Sequence, residues 1–224
     1  MFRKESSLGK NKRKGGDTRM VKRLLLVLVM VSFMVGVALA GVEEVQTALN
    51  SHDWATLDSE VAKVLADKNA TDNEKATSIF YQGYGLMMYQ KKYAEAAATF
   101  QKVIDNYPKE FRTAFALVYM GSCFKEEAKS QAAFLQVLTD WPEIGEPVRG
   151  ALDGIKFALL PSEDVARICL KIWKVNIPAT EENSDILSKV QFMITQYVPG
   201  ITEDNLNIPE VEEAIENKWG TEVK

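Results

Sequence analysis

The sequence predicts an all-α protein built of antiparallel helical hairpins stacked side by side. Two observations carry this. A nine-residue segment, Phe100-Gln101-Lys102-Val103-Ile104-Asp105-Asn106-Tyr107-Pro108, returns 34 residues later as Phe134-Leu135-Gln136-Val137-Leu138-Thr139-Asp140-Trp141-Pro142. Elsewhere apolar residues recur at helical spacing, and no segment shows sustained period-two alternation with β-branched enrichment.

Residues 1–40 read as a signal peptide and are set apart from the fold. A basic stretch ends in Lys22-Arg23, an apolar run extends from Leu24 to Val37, and Ala38-Leu39-Ala40 supplies a small-x-small cleavage site. Basic residues hold such a segment on the cytoplasmic side while the apolar core enters the translocation machinery. Met20-Val21-Lys22-Arg23 makes an ordinary basic region by itself, so Met20 is the expected start and Gly41 the expected mature N-terminus. The competing expectation is an uncleaved membrane anchor, since Leu24 to Val42 nearly reaches bilayer length. No Cys stands beside the cleavage site to carry a lipid.

The formal charge of −4 is unevenly spread. Nine of the 27 basic and two of the 31 acidic residues lie in the first forty, leaving a net −11 on the remainder. A surface that negative repels nucleic acid and anionic headgroups, so neither is an expected ligand. The expected location is periplasmic or extracellular.

Residues 41–73 read as a degenerate helical pair. Val61, Val64 and Leu65 hold helical spacing, Ser51 or Asp53 is the candidate N-cap, and residues 67–72 form the turn into the clear repeat. Residues 74–142 hold two hairpins. Ile79 to Tyr89 is the first helix, Gln90-Lys91-Lys92 the turn, and Tyr93-Ala94-Glu95-Ala96 opens the second helix, which Pro108 closes. The next unit runs from Glu110 to Cys123 and from Ser130 to Thr139, with Lys129-Ser130-Gln131-Ala132 in place of the Tyr-x-x-Ala entry.

The 34-residue period, the Tyr-x-x-Ala entry and the closing Pro resemble the tetratricopeptide repeat family. More narrowly they resemble its envelope members in which an aromatic-Pro pair ends each unit, such as the outer-membrane assembly lipoprotein and the Tol-Pal accessory protein. The chain departs from those in having no lipid-bearing Cys and no trimerising heptad run. The resemblance implies a short right-handed superhelix and a binding role, and it is carried no further.

Residues 143–224 read as a C-terminal helical extension in which the period is lost. Val165, Ile168, Cys169, Ile172 and Trp173 form one apolar stripe, stopped at Asn176-Ile177-Pro178. Ile186, Val190, Met193, Ile194 and Tyr197 form another, broken at Val198-Pro199-Gly200. A last helix spans Ile208 to Trp219, with Pro209 in its first turn and Gly220 after its end.

Little in the sequence promises catalysis, and the chain is read as a non-enzyme without cofactor or metal. The single His, His52, falls in a connector and is read as solvent-facing. Gly83-x-Gly85 falls within a helix and reads as close packing rather than a phosphate loop. Carboxylate pairs such as Glu126-Glu127 point about 100° apart on a helix, unlike an acid/base dyad. Cys169 reads as a core thiol, and whether it pairs with Cys123 is left open.

In stacked hairpins of this kind the first helices line an extended inner groove. That rule places Tyr81, Met88 and Tyr89 beside Arg112, Phe115 and Tyr119, residue types that dominate binding energy at interfaces. Some relatives grip peptide carboxylates with Lys and Asn at inner positions where this chain has Tyr81, Gly85, Phe115 and Tyr119, so an apolar or aromatic peptide is the expected ligand. The expected function is a protein-binding adaptor in the cell envelope. The alternative is an exported protein that binds a small molecule, carbohydrate or lipid.

Overall fold

Thr71 starts the first clear hairpin with a capping box, its hydroxyl accepting from the Glu74 N–H at 3.2 Å while Glu74 Oε2 accepts from the Thr71 N–H at 2.7 Å. The helix that follows, α3 (Asp72–Met88), buries Ala76, Ile79, Phe80, Gly83 and Met87. Its partner α4 (Tyr93–Asn106) buries Ala96, Phe100 and Val103. The turn between them passes through Lys91 at φ 58°. Gly83 lets the helices close: a Cβ there would lie 2.8 Å from Phe100 Cε1, too near for any side chain.

The second hairpin repeats the device. Here α5 (Phe111–Cys123) packs on α6 (Glu127–Asp140), and a Cβ at Gly121 would lie 2.9 Å from Phe134 Cε1. Phe100 and Phe134, one period apart, are both buried. Burial of each stabilises the fold by roughly 2–3 kcal/mol.

The computed structural model describes residues 41–221, which belong to one compact unit, Gly41–Lys224. Among the described residues there are ten α-helices, two short 3-10 turns and no strand. The helices pack in alternating order as a tetratricopeptide-like α-solenoid. The signal-peptide reading of residues 1–40 lies outside the described residues.

Helices α1 (residues 41–50) and α2 (Trp54–Ala66) form the N-terminal pair. Asp53 is the N-cap of α2, accepting from the Thr56 N–H at 3.1 Å, whereas Ser51 bonds back to the Thr47 carbonyl. The pair has its own small core of Val45, Ala48, Leu49, Leu57, Val61 and Val64, which meets the main core through Tyr81 and Tyr84.

Beyond Pro142 the stack continues. Helix α7 (Gly145–Gly154) packs on α5 and α6, and α8 (Ser162–Val175) contacts α6. Helix α9 (Ser184–Tyr197) packs on α7 and α8, and α10 (Ile208–Trp219) on α8. One continuous core runs from Ala76 to Ile215. Sequence patterning did not single out α7, because three glycines and Pro147 depress its helix propensity. Burial of Val148, Ala151 and Leu152 overrides that local preference. Helix α3 also begins earlier than its apolar pattern, at Asp72, because the capping box sets its start.

Candidate partner-binding face

The first helices of successive hairpins, α3, α5, α7 and α9, lie against one another in order. The side chains they share at these contacts build the candidate face.

Phe80 is its hub. The buried ring lies 6.0 Å from Tyr81, 6.3 Å from Tyr84, 6.1 Å from Phe115 and 5.5 Å from Tyr119, centroid to centroid. Tyr84 meets Tyr119 edge-on at 5.4 Å. These separations and tilts are the favourable ones for ring quadrupoles.

Arg112 of α5 sits among these rings. Its Cζ lies 5.3 Å from the Phe80 centroid, 5.5 Å from Tyr81, 4.7 Å from Phe111 and 5.4 Å from Phe115. Nε donates to Thr77 Oγ1 at 3.4 Å, a long bond from α5 back to α3. Among the described residues no buried side-chain nitrogen or oxygen lacks a partner. The Arg112 Nη atoms and the hydroxyls of Tyr81, Tyr84 and Tyr119 make no hydrogen bond among the described residues, and all four side chains are half-buried. Burial above all, then Tyr84 and Glu146, raises the Tyr119 hydroxyl above its ordinary pKa.

The structure thus brings Tyr81, Arg112, Phe115 and Tyr119 into one cluster. Tyr89 is 45 % exposed at the end of α3, where its ring meets His52 at 4.3 Å and Trp54 at 5.9 Å and reaches the main cluster through Tyr84 at 6.2 Å. Met88, 40 % exposed, lies beside it in the chain. His52 is exposed at φ 58° in the α1–α2 turn, stacked 5.5 Å from Trp54. Sequence reasoning missed Phe80, Tyr84 and Phe111. The signal for the last was available, since Phe111 and Phe115 stand one helical turn apart.

Toward α9 the contacts between first helices become ionic. Arg149 on α7 binds Asp185 on α9, with Nη2 to Oδ1 at 3.0 Å and Nη2 to the Glu182 carbonyl at 2.7 Å. Lys189, one turn further along α9, donates to Asp153 at 2.7 Å. The Arg149 guanidinium holds the Asp185 carboxyl down to about 2.

Several cavities lie elsewhere. One of about 490 Å³ between α2, α3 and α4 is lined by Trp54, Asp58, Gln82, Gln90 and Lys102, and another of about 490 Å³ by Tyr93, Ala97, Met120, Cys123 and Phe124. Neither is lined by the aromatic cluster. Cys123 and Cys169 are buried free thiols, pushed up to about 11 and about 12 by burial. Among the described residues no group of three His, Cys, Asp or Glu is placed to hold a metal, and no helix is long and apolar enough to cross a membrane.

The 34-residue hairpin, its glycine-phenylalanine closure and the alternating packing all describe one kind of unit. Residues 77–110 match a family model for the tetratricopeptide repeat. The matched tetratricopeptide unit takes in most of α3, all of α4 and the connection up to the N-cap of α5. No curated protein matches the chain, and no solved structure matches it.

Proposed function

We propose that this chain is an exported, non-enzymatic adaptor that holds a peptide segment or helix of another envelope protein on the face formed by α3 and α5. A tetratricopeptide repeat suggests a protein-protein interaction adaptor. The carrying observation is the Arg112 cluster, in which a half-buried guanidinium meets the buried ring of Phe80, the half-buried rings of Tyr81 and Phe115 and the exposed ring of Phe111. Such a surface offers apolar area with little ordering cost, since aromatic side chains have few torsions to fix. Export rests on the order of basic, apolar and Ala-x-Ala segments before Gly41. The aromatic-Pro endings at Tyr107-Pro108 and Trp141-Pro142 support kinship with envelope members of the family.

Crosslinking capture from native envelope extract tests this, with wild type beside a Tyr81→Ala/Tyr119→Ala double variant. The adaptor reading expects one protein captured by the wild type and lost with the double variant. Equal capture by both would move binding off this face.

The alternative, a small polar solute, draws on the cavity between α2, α3 and α4, where Trp54 stands near Asp58 and Gln82. A saturable rise in thermal stability with a sugar, abolished by Trp54→Ala, would favour it.

A further inference from the structure

We infer that Arg112 is the anchor for a single carboxylate, an Asp or Glu side chain carried within an otherwise apolar or aromatic peptide segment. The inference rests on the reading of the α3–α5 face as peptide-binding and names the chemistry that the segment must carry.

Three arginines lie among the described residues. Arg149 is paired with Asp185 and Arg167 with Glu163, whereas Arg112 has no carboxylate partner among the described residues. Its only hydrogen bond there is the long one from Nε to Thr77.

The rings around it do not substitute for such a partner. An aromatic face attracts the guanidinium through its quadrupole, but it leaves the in-plane N–H groups unused. Those Nη donors make no hydrogen bond among the described residues, and the Arg112 side chain is only half-buried. A forked donor, held in place by four rings and partly desolvated by them, is pre-organised for two parallel bonds to one carboxylate.

Charge narrows the occupant further. Outside the first forty residues the chain carries a net −11, and Glu146 acts on Tyr119 at the edge of the same cluster. A polyacidic segment would be repelled at long range, whereas one carboxylate flanked by apolar groups meets the Arg112 cation and the rings beside it.

The test uses 3-phenylpropionate as probe, a carboxylate joined to a ring, with 3-phenylpropionamide as the uncharged control. The arginine Nε–Hε resonances of the labelled protein are followed by NMR during titration. A saturable shift at Arg112 in the millimolar range is expected with the acid, with about tenfold weaker binding of the amide. Arg112→Gln should abolish the difference between acid and amide, while Arg112→Lys, which keeps the charge and loses the fork, should retain part of it. Unchanged circular dichroism of both variants excludes misfolding as the cause.

Equal shifts by acid and amide, shifts confined to Arg149 or Arg167, or no saturable shift at Arg112 would each overturn the inference. A partner captured through Tyr81 and Tyr119 but indifferent to Arg112→Gln would also overturn it, while leaving the adaptor reading intact.

Discussion

Tyr107 and Trp141 end α4 and α6 with nearly the same backbone, φ −132° in both and ψ 50° and 44°. Each donates its N–H at 2.9 Å to a valine carbonyl, Val103 for Tyr107 and Val137 for Trp141. The repeat seen in the letters is therefore a repeat of dihedral angles and hydrogen bonds. An aromatic followed by Pro stops the helix in both places because Pro has no N–H to donate and disfavours a helical conformation in the residue before it.

Close approach at Gly83 is the most exposed dependency of the first hairpin. Because a Cβ would lie 2.8 Å from Phe100, Gly83→Val should destabilise the protein by about 1–3 kcal/mol. Urea unfolding measures this, and an unchanged midpoint would contradict the packing.

The small N-terminal core should open separately. Leu57, buried at its centre, supports α1 and α2 but belongs to a different cluster from Phe100 and Val137. Leu57→Ala should speed amide exchange in residues 45–64 while residues 96–152 keep their protection. Uniform loss of protection across both would show one cooperative unit instead.

Burial raises Cys123 to about 11 and Cys169 to about 12, so native thiols should react slowly with alkylating reagents at pH 8 and quickly after unfolding. Cys123 should react first, being the less deeply buried of the two. With folded values raised, this contribution to stability is complete below about pH 8.5 and is lost as pH rises beyond it. Rapid native labelling of Cys169 would refute the placement.

Asp185 titrates at about 2 because Arg149 bonds to it, first of all the causes. Its folded value is depressed, so its contribution is present above the ordinary carboxylate value near 4 and is lost as pH falls toward 2. Carboxyl NMR should find the midpoint near 2, and Arg149→Met should return it to the ordinary range. A midpoint unmoved by that substitution would remove the pairing of Arg149 with Asp185.

The parts of the fold that were legible are those where one residue type has one physical job. Phe100 and Phe134 fill equivalent space, Pro108 and Pro142 stop chains, and Pro209 and Gly220 bracket α10. Helix α7 was illegible because its helicity comes from tertiary burial, against three glycines and a proline. At the candidate face, helical spacing placed Tyr81, Arg112, Phe115 and Tyr119 on neighbouring rows. It could not place Phe80, a core residue by burial that is also the ring touching them all. That dual role depends on the distance between α3 and α5, which no single helix encodes.

A photo-crosslinking residue installed in the full-length chain, in its native cell, tests the central claim most directly. Met88, at the end of α3, and Phe111, at the start of α5, are exposed, and Gln136 on α6 is an exposed control. The account predicts one discrete crosslinked protein from Met88 and Phe111 and none from Gln136. A partner crosslinked from Gln136 but not from Met88 or Phe111 would contradict it.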